Sequence, residues 1–159
     1  MSEIIKYMVL NIGTWIFWFY LVGYVVSKIP ERFLQNDYIL TKLFQFEINT
    51  NWFKNYLKID KWKDRLPELG SFFGEGFPKR SVATGDISHL KVFIRETRRA
   101  EIAHWIMTGG WILTIIFNPL WAILFNLVFA HLVNFPCLLV QRYNRVRLLR
   151  VLENKLGSS

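Results

Sequence analysis

Residues 105–141 read WIMTGGWILTIIFNPLWAILFNLVFAHLVNFPCLLVQ, and nothing in them is charged at neutral pH unless His131 is. Some 20 apolar residues cross a hydrocarbon core, so a run this long reads as membrane and is too long for one passage. Asn118-Pro119, near its middle, is a strong turn signal. The stretch therefore predicts a helical hairpin whose two ends return to the same membrane face. Both ends are dense in polar groups, with Arg95, Glu96, Arg98, Arg99, Glu101 and His104 before the run and Arg142, Asn144 and Arg145 after it.

The rest of the chain fits a small integral membrane protein. Its 159 residues are 52% hydrophobic and 17% aromatic. The seven Trp and six Tyr suit interfacial belts, where a ring is buried while its N–H or O–H stays wet. Residues 8–26 carry no charge and lack both a basic leader and a small-residue cleavage site, so they are expected to be a retained helix. The expected architecture is all-α, one membrane domain over residues 1–159, with three crossings at about 8–26, 100–117 and 120–140. A fourth crossing would require residues 38–57 to insert. That segment is otherwise expected to be amphipathic and to lie on the cytoplasmic surface, within an interfacial region spanning residues 28–99. Residues 70–85 read as a loop and Asp86 as the N-cap of the helix that enters the second crossing.

Lys and Arg are distributed unevenly: one in residues 1–7, fourteen in 28–105 and five in 142–159, with none at the Asn118 turn. The positive-inside rule then places the N-terminus and the turn outside, and the central region and C-terminus in the cytoplasm. The net charge of +8 does not call for nucleic acid, because anionic lipid or a phosphorylated substrate accounts for it equally well. Cys137 is the single cysteine, which rules out an intramolecular disulfide; in an apolar run it reads as packing.

The hairpin places its histidines. His104 precedes Asn118 by 14 residues and His131 follows it by 13. On antiparallel helices both lie about 20 Å from the turn, level with each other near the cytoplasmic edge. Glu101 shares a face with His104, and Asn134 with His131. Pro136 removes a backbone hydrogen bond beside them. Ionisable groups at this depth usually face a protein interior or a wet cavity. Three readings stay open: interhelical glue made by Glu101, His104, His131 and Asn134; a metal site using Glu101, His104 and His131; or acid–base chemistry in which Glu101 fixes the tautomer of a histidine base. Arg98 and Arg145 are placed to hold phosphate through bidentate bonds.

Three segments carry a resemblance: Lys58 to Pro67 (KIDKWKDRLP), Glu96 to Trp105 (ETRRAEIAHW), and Asn134 to Arg145 (NFPCLLVQRYNR) followed by Arg147-Leu148. Together these resemble the glycosyl-4,4'-diaponeurosporenoate acyltransferase family, small bacterial membrane proteins of carotenoid-glycoside synthesis. The resemblance extends over about residues 57–149. It implies transfer of a fatty acyl group to a sugar hydroxyl of a membrane-embedded glycolipid, with an acyl donor such as acyl-CoA as co-substrate and no cofactor. The expected partners are a membrane lipid or glycolipid and the donor, with no nucleic acid and with association into homo-oligomers to enclose a cavity. In that chemistry His104 is the base, His131 its alternative, and Glu101 its orienting group. Asn134, Arg98 or Gln141 would donate to the oxyanion, and Arg142 and Arg145 would hold the donor's phosphates. The rival classes are a non-catalytic lipid-binding subunit and a metal-assisted head-group enzyme.

Overall fold

Two helices define the long axis of the molecule. The computed structural model describes residues 3–66 and 87–157, among which there are only helices and turns. The expected loop at 70–85 and the Asp86 cap lie outside the described residues. Helix α1 is Glu3–Ser27, α2 is Thr50–Asn55, α3 is Ile87–Thr108 and α4 is Leu120–Gly157.

Helices α1 and α4 are long and apolar enough to cross a membrane, yet only 11% and 22% of their most apolar windows are buried inside the protein. A soluble core helix would bury that surface. Here Ile12, Ile16 and Phe17 on α1, and Leu124, Phe125, Val128 and Leu132 on α4, face outward, as lipid-facing side chains do.

The expected second crossing takes another form. α3 ends at Thr108 and the chain continues as a 3-10 helix, Gly109–Ile116. Eight residues is long for this geometry, whose rise of about 2.0 Å per residue stretches a short apolar run further than an α-helix would. The switch falls where α1 comes closest. Trp18 Nε1 donates to the Ile106 carbonyl at 3.3 Å, at the point where the α-ladder stops. A Cβ on Gly110 would collide with the Trp18 indole and sit 2.9 Å from Trp15 Cζ3, so glycine is what lets the two segments touch.

Asn118 and Pro119 form the turn into α4, with the Ala122 and Ile123 amides bonded to the Pro119 carbonyl. α4 runs unbroken through Pro136 for 38 residues. At about 1.5 Å per residue it extends some 25 Å beyond its apolar part. Its inward stripe, Ala122, Asn126, Ala130, Asn134, Leu138, Arg142 and Arg145, repeats at four- and three-residue steps and packs on α3.

Residues 28–66 form a cover over the part of the α3–α4 pair that lies past the apolar run. Its anchor is an apolar core of Phe53, Ile59, Tyr143 and Val146, ringed by Leu43, Trp52 and Trp62. The segment at 38–57, expected to be amphipathic, is a series of turns closed by α2, whose first turn is capped by the Asn49 side chain on the Asn51 amide at 3.0 Å. Over residues 39–50 its polarity is partly inverted, while Phe53 turns inward to the core. Thr41, Glu47 and Thr50 are buried, while Ile39, Leu40, Phe44, Phe46 and Ile48 are exposed, Ile39 to 97%.

Candidate functional site

The open end of the hairpin is organised around Glu101, which is fully buried. One carboxylate oxygen accepts from Arg142 Nη1 and the other from Arg145 Nη1 at 2.6 Å. Arg142 also binds Glu47, through Nε to Oε1 at 2.7 Å and Nη2 to Oε2 at 2.5 Å, and reaches the Lys42 carbonyl at 2.7 Å. The ring of Phe44 lies 5.4 Å from its guanidinium carbon, closing the site with an aromatic face. Arg145 donates to the Thr41 carbonyl at 2.5 Å, with its Nε 3.7 Å from Asp37. Arg98 completes the group by donating to Asp37 at 2.6 Å and to the Leu34 carbonyl at 3.1 Å. Three arginines thus meet three carboxylates and their formal charges cancel, with Asp37 at the exposed rim and the other five side chains buried.

Both α4 arginines lie past the apolar run, and their environments differ. Burial opposes the charge of each. In Arg142 the carboxylates of Glu47 and Glu101 outweigh it and raise the pKa. In Arg145 burial prevails over Glu101 and Asp37, and the pKa is lowered. Arg145 Nε is also without a hydrogen bond. The charge of Arg145 is therefore less well compensated by its surroundings than that of Arg142.

This geometry corrects two expectations. Glu101 does not orient His104, because both of its oxygens are taken by arginine. Arg142 and Arg145 are not free for a donor's phosphates, because the cover supplies acceptors to both. Asp37, Glu47 and the Thr41 carbonyl, which do so, were missed in the sequence. The available signal was that Asp37 and Glu47 are the two carboxylates in residues 33–59, a stretch otherwise apolar, neutral or basic.

His104 lies one turn along α3 from Glu101 and is half-buried. Its Nδ1 is 3.0 Å from Asn134 Oδ1. The Asn134 Nδ2 donates to the Ala130 carbonyl at 2.9 Å, which fixes the amide with its oxygen toward the imidazole. An amide oxygen only accepts, so Nδ1 carries the proton and Nε2 keeps its lone pair. The His104 carbonyl accepts from Thr108 Oγ1 at 2.8 Å.

His131 does not join this pair. It lies just outside the inward stripe of α4, is exposed, and donates from Nδ1 to the Leu127 carbonyl of its own helix at 2.8 Å. The expected level match of His104 with His131 does not form: the 3-10 segment lengthens the α3 side, His104 meets Asn134 one turn further along α4, and His131 turns away from α3. Glu101, His104 and His131 therefore do not converge on one point. Gln141 is half-buried on α4 next to Arg142.

A separate amide cluster ties α1 to the turn end of the hairpin. Asn11 and Asn118 exchange side-chain hydrogen bonds of 3.0 and 2.8 Å. Asn126 donates to Asn11 at 2.9 Å and accepts from Trp15 Nε1 at 2.7 Å. A cavity of about 440 Å³ is an open apolar furrow between α1 and the 3-10 helix, lined by Gly13, Phe17, Leu113 and Phe117 and far from His104.

The three sequence segments singled out above converge in this architecture. Residues 96–105 and 134–145 face each other across the ion cluster, and Ile59 of the third packs on Tyr143, whose hydroxyl donates to Asp60 at 3.0 Å. No solved structure matches the chain. A protein from Staphylococcus aureus strain Newman, named glycosyl-4,4'-diaponeurosporenoate acyltransferase, is 32% identical over 134 residues, covering 81% of this chain and 79% of the relative. The protein of that name from strain USA300 is 31% identical over 79% of this chain and 76% of its own length. The sequence model of the same family matches residues 30–154. The chain belongs to the glycosyl-4,4'-diaponeurosporenoate acyltransferase family, and it is an enzyme of the acyltransferase class.

Proposed function

We propose that the protein transfers a fatty acyl group from a thioester donor to a sugar hydroxyl of a glycosylated carotenoid or similar glycolipid, at the cytoplasmic edge of the bacterial membrane. The observation that carries the reading is the His104–Asn134 pair, which leaves Nε2 as a lone-pair acceptor at the end of the apolar run. In the proposed step His104 Nε2 takes the proton of the sugar hydroxyl as its oxygen attacks the acyl carbonyl. The O–acyl bond forms, the C–S bond breaks, and the proton passes to the departing thiolate. Asn134 holds the tautomer in the role first assigned to Glu101. The ion cluster acts one turn further along, fixing the register of α3 on α4.

The topology proposed is N-terminus outside and C-terminus inside, following the basic residues. The exposed apolar side chains of 39–48 then lie in the interface of the inner leaflet, continuous with the lipid-facing sides of α1 and α4. A glycolipid head group would meet a water-soluble donor at that level.

The test is lipid analysis of a host that makes carotenoid glycosides, with wild type and His104→Ala at matched membrane abundance. The wild type is expected to yield a species heavier by one fatty acyl group. His104→Ala is expected to lower its rate of formation by about 10²–10⁴-fold, the range for loss of a general base. Identical extracts from the two strains would take His104 out of the chemistry.

A further inference from the structure

We propose that a hollow beside the ion cluster, on the side away from the apolar run, binds the phosphate-ester head of a soluble acyl donor. The proposal takes its donor from the acyl-transfer reading above, while its observations are independent of that reading. The hollow has a volume of about 220 Å³ and is lined by Gln35, Lys91, Arg95 and Arg98 over a floor that includes Leu149 and Leu152.

Its charges are arranged differently from those of Arg142 and Arg145. Among the described residues, Lys91 and Gln35 have no hydrogen-bond or ion-pair partner, and both are exposed. Arg95 lies 3.1 Å from Glu31, a carboxylate that is itself 69% exposed and therefore well screened. Arg98 is held by Asp37 and the Leu34 carbonyl, which fixes its guanidinium as a wall of the hollow. Three cations against two carboxylates leave one positive charge in excess, with a free ammonium and a free amide beside it. Phosphate oxygens accept from guanidinium and ammonium groups in this geometry. The leucine floor suits the ring or chain to which the phosphate is esterified.

Size and position narrow the ligand. The volume is below the roughly 300–1,000 Å³ that encloses a drug-sized molecule, so the hollow takes a head group and not a polyene. Lys91 precedes His104 by 13 residues on one helix, which is about 20 Å. A donor carrying its acyl group on a flexible arm of that length would span from the hollow to His104 Nε2. Phosphate on a bilayer lipid is the other source of the same chemistry, and it would have to leave the membrane surface to reach Lys91.

The test uses the purified full chain in detergent, titrated calorimetrically with coenzyme A, with phosphatidylglycerol retention followed in parallel by native mass spectrometry. Coenzyme A is expected to bind more weakly as salt rises. Lys91→Glu should weaken it at least 10-fold and Arg95→Gln several-fold, with elution from gel filtration unchanged. His104→Ala should leave binding intact, so loss of the acylated product in that variant reports on the chemistry and not on this site. No binding of coenzyme A by the wild type would overturn the proposal, as would binding indifferent to Lys91→Glu. Lys91-dependent retention of phosphatidylglycerol without coenzyme A binding would overturn it in favour of a lipid head group.

Discussion

At its turn end the α3–α4 hairpin meets α1 through three neutral amides and an indole; at its open end it meets the cover through six full charges. The difference follows from the solvent on either side. The amides lie level with lipid-facing apolar side chains, where a full charge is costly and neutral donors and acceptors can pair completely. The charges lie past the apolar run, where a protein cover replaces water oxygen for oxygen. His104 and Asn134 occupy the boundary between the two regimes, where a group can be neutral and still titrate.

The comparison breaks most sharply at Glu101. Glu101→Gln keeps the shape but leaves two buried guanidinium groups short of a partner. It is expected to cost about 3–5 kcal/mol, as for other buried pairs stripped of one member. Thermal unfolding in detergent measures this, and a loss below about 1 kcal/mol would mean the open end is held by its apolar core instead. Gly110→Val comes next, because it forces branched carbon into Trp15 and Trp18. Overpacking of that kind costs about 1–3 kcal/mol. Near-ultraviolet circular dichroism of the indoles should change with it, and an unaltered spectrum would argue against the close approach of α1.

The smallest effect is expected at the turn end. Asn126→Ala removes bonds to Asn11 and Trp15. Polar contacts inside membrane bundles are worth about 0.6 kcal/mol on average and up to about 1.7. A loss as large as that of Glu101→Gln would erase the distinction between the two ends.

Much of this was legible in the sequence, for identifiable reasons. Length and the absence of charge are properties of composition, so α1, α4 and the Asn118-Pro119 turn could be read directly. Depth along a helix is arithmetic, and it placed His104 level with His131, whereas the side chain that His104 meets is Asn134, one turn further along α4. Angular position is harder to read: His131 is only a few residues from Asn134, yet it faces away from α3. Pairing across the chain is harder still. Nothing local to Glu101 says that its partners are arginines some 40 residues away, or that Asp37 and Glu47 fold back to complete the set. The partly inverted polarity of residues 39–50 hides in the same way, because a segment that turns polar groups inward has the composition of one that turns them outward.

The unbroken course of α4 makes it a ruler. One rigid rod carries Asn126 for the turn end, Asn134 for the histidine, Arg142 and Arg145 for the ion cluster, and Leu149 and Leu152 for the floor of the hollow. A single residue inserted after Asn126 would advance everything beyond it by about 1.5 Å and turn it by about 100°. Asn134, both arginines and the leucine floor would leave their partners together, although no side chain had been changed. Spacing along this helix is therefore as much a part of the site as the identity of any residue in it, and length changes within it should be far less tolerable than substitutions on its lipid-facing side.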